Sequence, residues 1–257
     1  MFRITESDER ATIYIYGTIG DHWNEKKANR AADFASALDD LSPKPLDIRI
    51  DSPGGDAFDG FAIASAIQRY EGETHAYIDG MAASAASYIA LMCDRVTMND
   101  YAMFMIHNAW GLCIGNRNEL REMADRLEVI DGAIADVIAK RSGMELDAVK
   151  AAMDAETWYR ADEALAEGIC DEVLETEQRI AACIERGIAG RYRNIPDDVE
   201  IVDAMQAEEE AGAEPQDADA EPLADGISHG EHSMQGNEAK VAEGATLLGN
   251  RVYLWKE

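Results

Sequence analysis

Basic residues are scarce in this sequence: 23 Lys and Arg stand against 51 Asp and Glu, and the formal net charge is −28. Nucleic-acid binding needs a basic surface, so a chain this acidic is not expected to bind DNA or RNA directly. The same charge argues against docking on an anionic membrane face. No apolar run approaches the roughly 20 residues that span a bilayer. The start, MFRITESDER, has no apolar signal region.

Cysteines are also few, and their spacing matches neither metal ligands nor a redox pair. They are Cys93, Cys113, Cys170 and Cys183. Reduced thiols in a cytoplasmic protein are the simplest interpretation of this pattern. A disulfide framework and a metal centre are therefore not expected.

The acidic charge is concentrated near the C-terminus, where Pro196–Glu231 holds 13 Asp or Glu and no Lys or Arg. Its stretch MQAEEEAGAEPQDADAEPLADG contains no aromatic or β-branched residue, so it cannot bury enough apolar surface to offset its ordering entropy. It is predicted to be a disordered linker, with a scaffold-like or self-cleaved segment as the alternative. The apolar end around Gly249-Asn250 is typical of a short hairpin. We therefore predict a folded domain over residues 1–190 and an acidic, largely disordered extension over 191–257.

Apolar periodicity divides the first 190 residues into alternating strands and helices. The predicted strands are Thr12–Ile19, Leu46–Ile50, Thr74–Asp79, Arg95–Met98, Ala102–Ile106 and Ile169–Leu174. The predicted helices are Asn24–Leu41, Phe58–Tyr70, Ala83–Met92, Asn118–Arg141 and Ala161–Glu167. This order predicts a parallel sheet covered by helices, whose ligand sites lie beyond the carboxyl ends of the strands. The long helix Asn118–Arg141 packs either on the core or on another subunit.

The turn Ile50–Asp56, with sequence IDSPGGD, leads from a strand into a helix. Its two glycines permit positive φ and a close approach of the backbone to a ligand. Backbone N–H groups beside a helix N-terminus can stabilise an oxyanion. A plain strand-to-helix turn explains the motif equally well.

A second such junction, Gly80–Ser87 (GMAASAAS), places Ser84 at the first turn of a helix. A serine nucleophile needs exposure of this kind, a nearby base and oxyanion donors. Helix packing through small residues, or an N-cap, is the better explanation of this motif taken alone. Ser87 lies one turn further along and is interpreted as a packing residue.

His107 follows the apolar strand Ala102–Ile106, at a strand end where it could serve as the base for Ser84. Asp171, which follows Gly168, could orient the imidazole. The alternatives are a hydrogen-bonded histidine in a partly buried turn and a surface or capping aspartate. The remaining histidines are weaker candidates because of their positions: His22, His75, His229 and His232.

Taken in this order, the segments resemble the Clp-type serine protease family. The resemblance rests on four elements, Ile50–Gly55, Gly80–Ser84, Met105–His107 and Gly168–Asp171, and covers about residues 10 to 175. It implies an α/β fold of the crotonase-like (ClpP-like) type, built of repeated ββα units. Glu119–Gly168 resembles the protruding handle helix of that family and the helices after it.

The resemblance implies a role for each matching residue. Ser84 would be the nucleophile, His107 the general base and then acid, and Asp171 the orienting carboxylate. The oxyanion donors would be the amides of Gly55 and Ala85. Further substrate contacts would come from Gly54 and Asn108. No metal or organic cofactor is implied.

The resemblance also bears on partners. It implies a homo-oligomeric ring, a heptamer or a stacked tetradecamer, that admits unfolded or short polypeptides. The N-terminal segment with which the family docks an unfoldase ATPase is nearly absent, so an ATPase partner is doubtful. Asn108-Ala109 replaces the usual Gln-Pro of the family and indicates a different substrate groove. The stretch Glu156–Ala164 and the C-terminal extension are similar to the phage and prophage branch, which implies a head-maturation protease acting on scaffold or capsid proteins.

Two other functions remain open at this point. A crotonase-type hydratase or isomerase acting on acyl-coenzyme A would suit the fold and the Gly55 donor. Such enzymes use carboxylates, however, and the sequence shows no basic cluster for the nucleotide phosphates. A non-catalytic assembly protein that keeps the fold is the third possibility. Labelling of Ser84 by a fluorophosphonate is expected only for the protease.

Overall fold

Two units make up the chain in this computed structural model, one spanning residues Met1–Ala213 and one spanning Glu214–Glu257. The structure describes residues 3–20, 29–41, 43–175, 183–190, 192–197, 199–202, 245–248 and 251–254. The first unit is mixed α/β and extends beyond the predicted boundary at residue 190. Most of the predicted linker lies outside the described residues.

The described strands of the first unit are β1 (Arg3–Glu6), β2 (Ala11–Tyr16), β3 (Leu46–Ser52), β4 (Thr74–Ala83), β5 (Arg95–Asn99), β6 (Met103–Ile106), β7 (Thr157–Arg160), β8 (Glu172–Leu174), β9 (Cys183–Glu185) and β10 (Glu200–Val202). Buried apolar residues alternate with less buried ones in β2 and β3, whereas the short strand β6 is apolar throughout. In β3 the alternation leaves Leu46, Ile48 and Ile50 fully buried, as a strand covered on one face requires.

Helices follow most of these strands and cover the sheet. They are α1 (Ala31–Asp39), α2 (Ala57–Arg69), α3 (Ala85–Ala90), α4 (Arg117–Ser142), α5 (Leu146–Asp154), α6 (Ala161–Ala166) and α7 (Arg186–Ala189). The predicted start of the first helix at Asn24 falls on residues outside the described part of the chain. Asn29 bridges Ile19 in parallel pairing, so the helix starts after it. No helix among the described residues is both long and apolar enough to cross a membrane.

The main sheet has eight strands, in the order β1-β2-β3-β4-β5-β8, with β6 pairing β4 and β7. β2, β3, β4, β5 and β8 are mutually parallel, as the strand–helix alternation predicts. β7 returns antiparallel to β6. Apolar periodicity did not predict β7 or α5, because their apolar patterns are short.

β4 is four residues longer than predicted. Its first half pairs with β5, and Met81–Ala83 then pair with β6. The strand therefore continues through Gly80, where the prediction ended it at Asp79. Because the strand runs to Ala83, Ser84 follows it directly and α3 begins only at Ala85.

α4 is the predicted long helix, found one residue longer at each end. Asn116 and Glu119 form a capping box at its start, and Gly143 ends it in a left-handed conformation. Only its last third is buried, at Ile134, Ala135 and Ile138. The first two thirds leave apolar side chains exposed.

The second unit contains two described strands, β11 (Ala245–Leu248) and β12 (Arg251–Leu254). They pair antiparallel with Leu248 opposite Arg251, which corresponds to the hairpin predicted around Gly249-Asn250.

Candidate active site

Ser84 occupies the corner between β4 and α3 in a conformation that is rare for a side chain other than glycine. Its backbone angles are φ 54° and ψ −121°. The amide of Ser84 donates to the carbonyl of Met105 at 3.0 Å, which fixes the corner against β6. Strained corners of this kind present a serine hydroxyl at the end of a sheet.

His107 meets Ser84 at this corner. Parallel pairing sets Ala83 of β4 beside Met105 of β6, so the chain places Ser84 and His107 just beyond the same edge of the sheet. The imidazole Nε2 lies 2.8 Å from Ser84 Oγ. A hydroxyl and an imidazole at this distance can act as a nucleophile and its general base.

The electrostatic surroundings favour neutral imidazole. Burial is the main influence and lowers the pKa of His107. The charge of Glu156 acts in the opposite direction and raises this pKa, while Arg193 lowers it. A neutral imidazole can accept the Ser84 proton, as a general base must.

The Gly54-Gly55 turn packs directly against the serine corner. Gly54 has φ +84°, and a Cβ on it would lie 2.7 Å from the amide nitrogen of Ala85, so only glycine fits there. The amide of Ile19 donates to the carbonyl of Gly54, and the carbonyl of Ile19 accepts from the amide of Asp56. The carbonyl of Gly54 thus faces Ile19, and the N–H of Gly55 in the same peptide points away from Ile19. Ala85 opens α3, where first-turn amides have no acceptor within the helix. Gly55, Ser84, Ala85 and His107 line one cleft.

The structure does not bring Asp171 to this group. Its carboxylate accepts the amide of Val96 at 2.7 Å and a guanidinium hydrogen bond from Arg141. Asp171 lies just before β8 and level with Val96 near the amino end of β5, and Val96 pairs with Ala76, eight residues before Ser84 along β4. That offset corresponds to roughly 25 Å of strand. The prediction that Asp171 orients His107 is therefore corrected, because strand register holds it at the other end of the sheet.

Glu156 is the carboxylate that the structure sets beside His107. β6 and β7 are antiparallel with Ile106 opposite Thr157, so the next positions, His107 and Glu156, face each other. Glu156 is buried and has φ 53°. Its Oε1 accepts the amides of Arg193 and Asn194 at 2.6 and 2.7 Å. Sequence reasoning missed it, because neither the burial of Glu156 nor the pairing of β6 with β7 leaves a local pattern in the sequence.

The cleft in front of Ser84 has a volume of about 320 Å³ and is walled largely by apolar side chains. These are Phe58, Tyr88, Trp110, Met123, Leu127, Ile130 and Ile134. Such a cleft can hold an apolar side chain beside the reactive hydroxyl. Asn108, a predicted substrate contact, donates its side-chain amide to Asp154 at 2.6 Å.

Within the described ranges, no three His, Cys, Asp or Glu side chains group as metal ligands. The site brings together a partly buried hydroxyl that lines the cleft, an imidazole, a buried carboxylate and two amide donors. This set is suited to nucleophilic acyl transfer, in which the hydroxyl attacks a carbonyl and the amides hold the resulting oxyanion.

Comparison with known proteins gives an independent view of the chain. The model of the family described as Clp protease matches residues 8–177. An ATP-dependent Clp protease proteolytic subunit of Bacteroides fragilis is 31% identical over 140 residues, which are 53% of this chain and 68% of the relative. Subunit 2 of Bacillus licheniformis is 31% identical over 163 residues, 61% of this chain and 84% of the relative. Subunit 1 of Prochlorococcus marinus subsp. pastoris is 26% identical over 160 residues, 61% of this chain and 82% of the relative.

Proposed function

The chain belongs to the Clp protease family, and on this basis we propose that it is a serine endopeptidase whose catalytic residues are Ser84, His107 and Glu156. The observation that carries the proposal is the 2.8 Å contact between Ser84 Oγ and His107 Nε2 at a strained strand–helix corner. A hydratase of the crotonase type uses carboxylates and does not require a serine–histidine pair.

The proposed reaction proceeds in two stages. Ser84 Oγ attacks the carbonyl carbon of a peptide bond while His107 Nε2 takes the hydroxyl proton, and the carbonyl oxygen becomes an oxyanion held by the amides of Gly55 and Ala85. Collapse breaks the C–N bond, and His107 gives its proton to the departing amine. Water, deprotonated by His107, then attacks the acyl-enzyme and releases Ser84 and the carboxylic acid.

Glu156 takes the role that the sequence analysis assigned to Asp171. The imidazole becomes positively charged while it holds the Ser84 proton, and a nearby carboxylate stabilises that charge. Burial of Glu156 strengthens the effect because the local dielectric constant is low. Two amide hydrogen bonds to Glu156 Oε1 keep the carboxylate in place.

The substrates that we propose are unfolded or short polypeptides, and the finer assignment is a phage or prophage head-maturation protease acting on scaffold or capsid proteins. The acidic extension supports this assignment, since its acidic residues lie beyond residue 177, where the match to the family ends. The sequence stretch beginning at Glu156 supports it too. Intact-mass analysis after incubation with purified scaffold and capsid proteins would test the assignment, which fails if neither is cut.

We also propose that the chain assembles into a homo-oligomeric ring. Apolar side chains stand exposed on the first part of α4 and on the loop before it, at Trp110, Leu112, Ile114, Leu120 and Val129. A contiguous exposed apolar surface commonly marks a subunit contact. Native mass spectrometry measures the subunit number directly, and a monomer at micromolar concentration would contradict the ring.

Labelling with a fluorophosphonate tests the proposed activity. We expect wild-type protein to be labelled at Ser84 and to hydrolyse a general peptide substrate, and Ser84→Ala to lose both while keeping its assembled size. Ser65→Ala, an exposed serine on α2, is the matched control and should behave as wild type. Equal hydrolysis by wild type and Ser84→Ala would show that Ser84 is not the nucleophile.

A further inference from the structure

Tyr192 contacts the catalytic pair although it lies 15 residues beyond the end of the match to the family at residue 177. Its ring packs edge-on against the His107 imidazole, with 5.9 Å between the ring centroids. The same ring packs against Trp158 at 5.5 Å, and its hydroxyl donates to the carbonyl of Pro53 in the SPGG turn. Tyr192 therefore touches both the base and the oxyanion turn.

The next two residues hold the third member of the proposed triad. Arg193 and Asn194 donate their backbone amides to Glu156 Oε1, and the Asn194 side chain donates to the carbonyl of Ala155 at 2.7 Å. The Arg193 Nε atom lies 3.8 Å from Glu156 Oε2. Two amide donors on one oxygen fix the rotation of the carboxylate, and they also satisfy a group that is costly to bury without partners.

The segment is anchored to the strands that carry the site. A small apolar cluster joins β9, α7 and the residue before β10 to β4 and β6, with buried members Met81, Ala83, Met103, Met105, Ile184, Ala189 and Val199. Ala83 and Met105 are close neighbours in sequence of Ser84 and His107. Tyr192 and Trp158 pack against the same cluster. The position of the segment is therefore coupled by direct packing to that of the catalytic pair.

We propose that Tyr192, Arg193 and Asn194 form a positioning element of the catalytic centre, in which two amides fix Glu156 beside His107 and the Tyr192 ring keeps water from the imidazole. This inference rests on the proposed function for its catalytic meaning. The amides of Arg193 and Asn194 touch Glu156, and the Tyr192 ring touches His107 and also lines the cleft in front of Ser84. The C-terminal segment up to residue 202 is then part of the enzyme and not only a linker.

Charged and titratable groups reach His107 from three elements. Ser84 approaches from the β4–α3 corner, Glu156 from the turn before β7, and Tyr192 and Arg193 from the C-terminal segment. Burial is the largest influence on the pKa of His107 and lowers it. Removal of the Tyr192 ring admits water, so this pKa should move back up towards the ordinary value.

The test uses full-length Tyr192→Ala, Tyr192→Phe and Tyr70→Ala. Tyr70 is the matched control, because its hydroxyl also donates to a main-chain carbonyl, that of Lys44, at the far end of the sheet. Two quantities are measured: the pH profile of kcat/KM, and the pKa of His107 from site-resolved diethylpyrocarbonate modification read by mass spectrometry. The second measurement needs no enzymatic activity.

For Tyr192→Ala we expect kcat near pH 7 to fall about tenfold or more with little change in KM, since part of the general-base contribution is lost. The acidic limb of its profile and the pKa of His107 should both move to higher pH. Tyr192→Phe, which keeps the ring, should have the wild-type acidic limb and the wild-type pKa of His107. Tyr70→Ala should match wild type in both quantities. A Tyr192→Ala protein that melts earlier but keeps the wild-type profile and His107 pKa would overturn the proposal.

Hydrogen exchange of the amides supplies a second measurement if Tyr192→Ala does not fold. In wild-type protein the amides of Arg193 and Asn194 should exchange slowly, and in Glu156→Ala the same two amides should exchange at least tenfold faster. Fast exchange in wild type would overturn the proposal. A further outcome is that the pKa of His107 and the exchange of the Arg193 and Asn194 amides change as expected while no peptide is hydrolysed. In that case the proposed function fails and the positioning contacts stand.

Discussion

Ser84 and His107 lie 2.8 Å apart through their Oγ and Nε2 atoms, although 23 residues separate them in the chain. The contact follows from strand register, because β4 and β6 pair in parallel with Ala83 beside Met105. Each side chain needs only to leave the end of its strand in the same direction. The geometry of the nucleophile and base is thus a property of the sheet and not of a flexible loop.

The carboxylate that matters for activity is predicted to be Glu156. Glu156→Gln should lower kcat by about 100-fold or more, since the neutral amide no longer stabilises imidazolium and can favour the wrong tautomer of His107. KM should change little because Glu156 is buried away from the substrate. Steady-state kinetics on one peptide substrate measures both constants.

Asp171→Asn is the matched control, a neutralised carboxylate held at the other end of the sheet by Arg141 and Val96. It should keep wild-type kcat while losing stability, because a partly buried ion pair is broken. A large loss of kcat in Asp171→Asn, together with normal turnover in Glu156→Gln, would reverse the assignment and restore the prediction from sequence.

The acidic limb of the pH–rate profile should report His107. Burial lowers the pKa of His107, and the free base is the active form, so activity should be half-maximal below the ordinary histidine value of about 6.5. Because Glu156 raises this pKa, Glu156→Gln should move the limb to still lower pH. The pH dependence of kcat/KM from pH 4.5 to 8.5 measures both effects. A limb above pH 7 in wild type would contradict the expected effect of burial.

Ser84 and His107 could be predicted from the sequence because each follows a short apolar strand, which is a local pattern. Glu156 could not be chosen over Asp171 in the same way, because the choice depends on which strand returns antiparallel beside β6. That pairing joins residues about 50 positions apart and leaves no local pattern. Tyr192 was missed for a related reason, since acidic composition placed the boundary of the folded domain at residue 190.

The backbone of Ser84 should carry a cost in stability that glycine would relieve. At φ 54° and ψ −121° a Cβ is unfavourable, whereas glycine adopts the mirror image of a common extended conformation. Ser84→Gly should therefore be more stable than Ser84→Ala by about 1 kcal/mol, even after the greater entropy of glycine in the unfolded chain is subtracted. Urea denaturation of both inactive variants measures the difference. A less stable glycine variant would show that the corner is not strained.

Asp51, at the end of β3, should make the protein less stable as pH rises. Burial and the neighbouring charge of Asp79 raise the pKa of Asp51 to about 6. The folded state then binds the proton more tightly than the unfolded state, so the contribution of Asp51 to the free energy of unfolding falls between about pH 4 and 6.

Asp51→Asn removes the charge and should stabilise the protein by about 1–3 kcal/mol at pH 8, with little difference at pH 4. The control is Asp47→Asn, because Asp47 lies on the same strand as Asp51 but is paired with Arg10. Asp47→Asn loses that ion pair and should bring no gain in stability at pH 8. Equal effects of Asp51→Asn at both pH values in thermal unfolding would show that the charge of Asp51 carries no such cost.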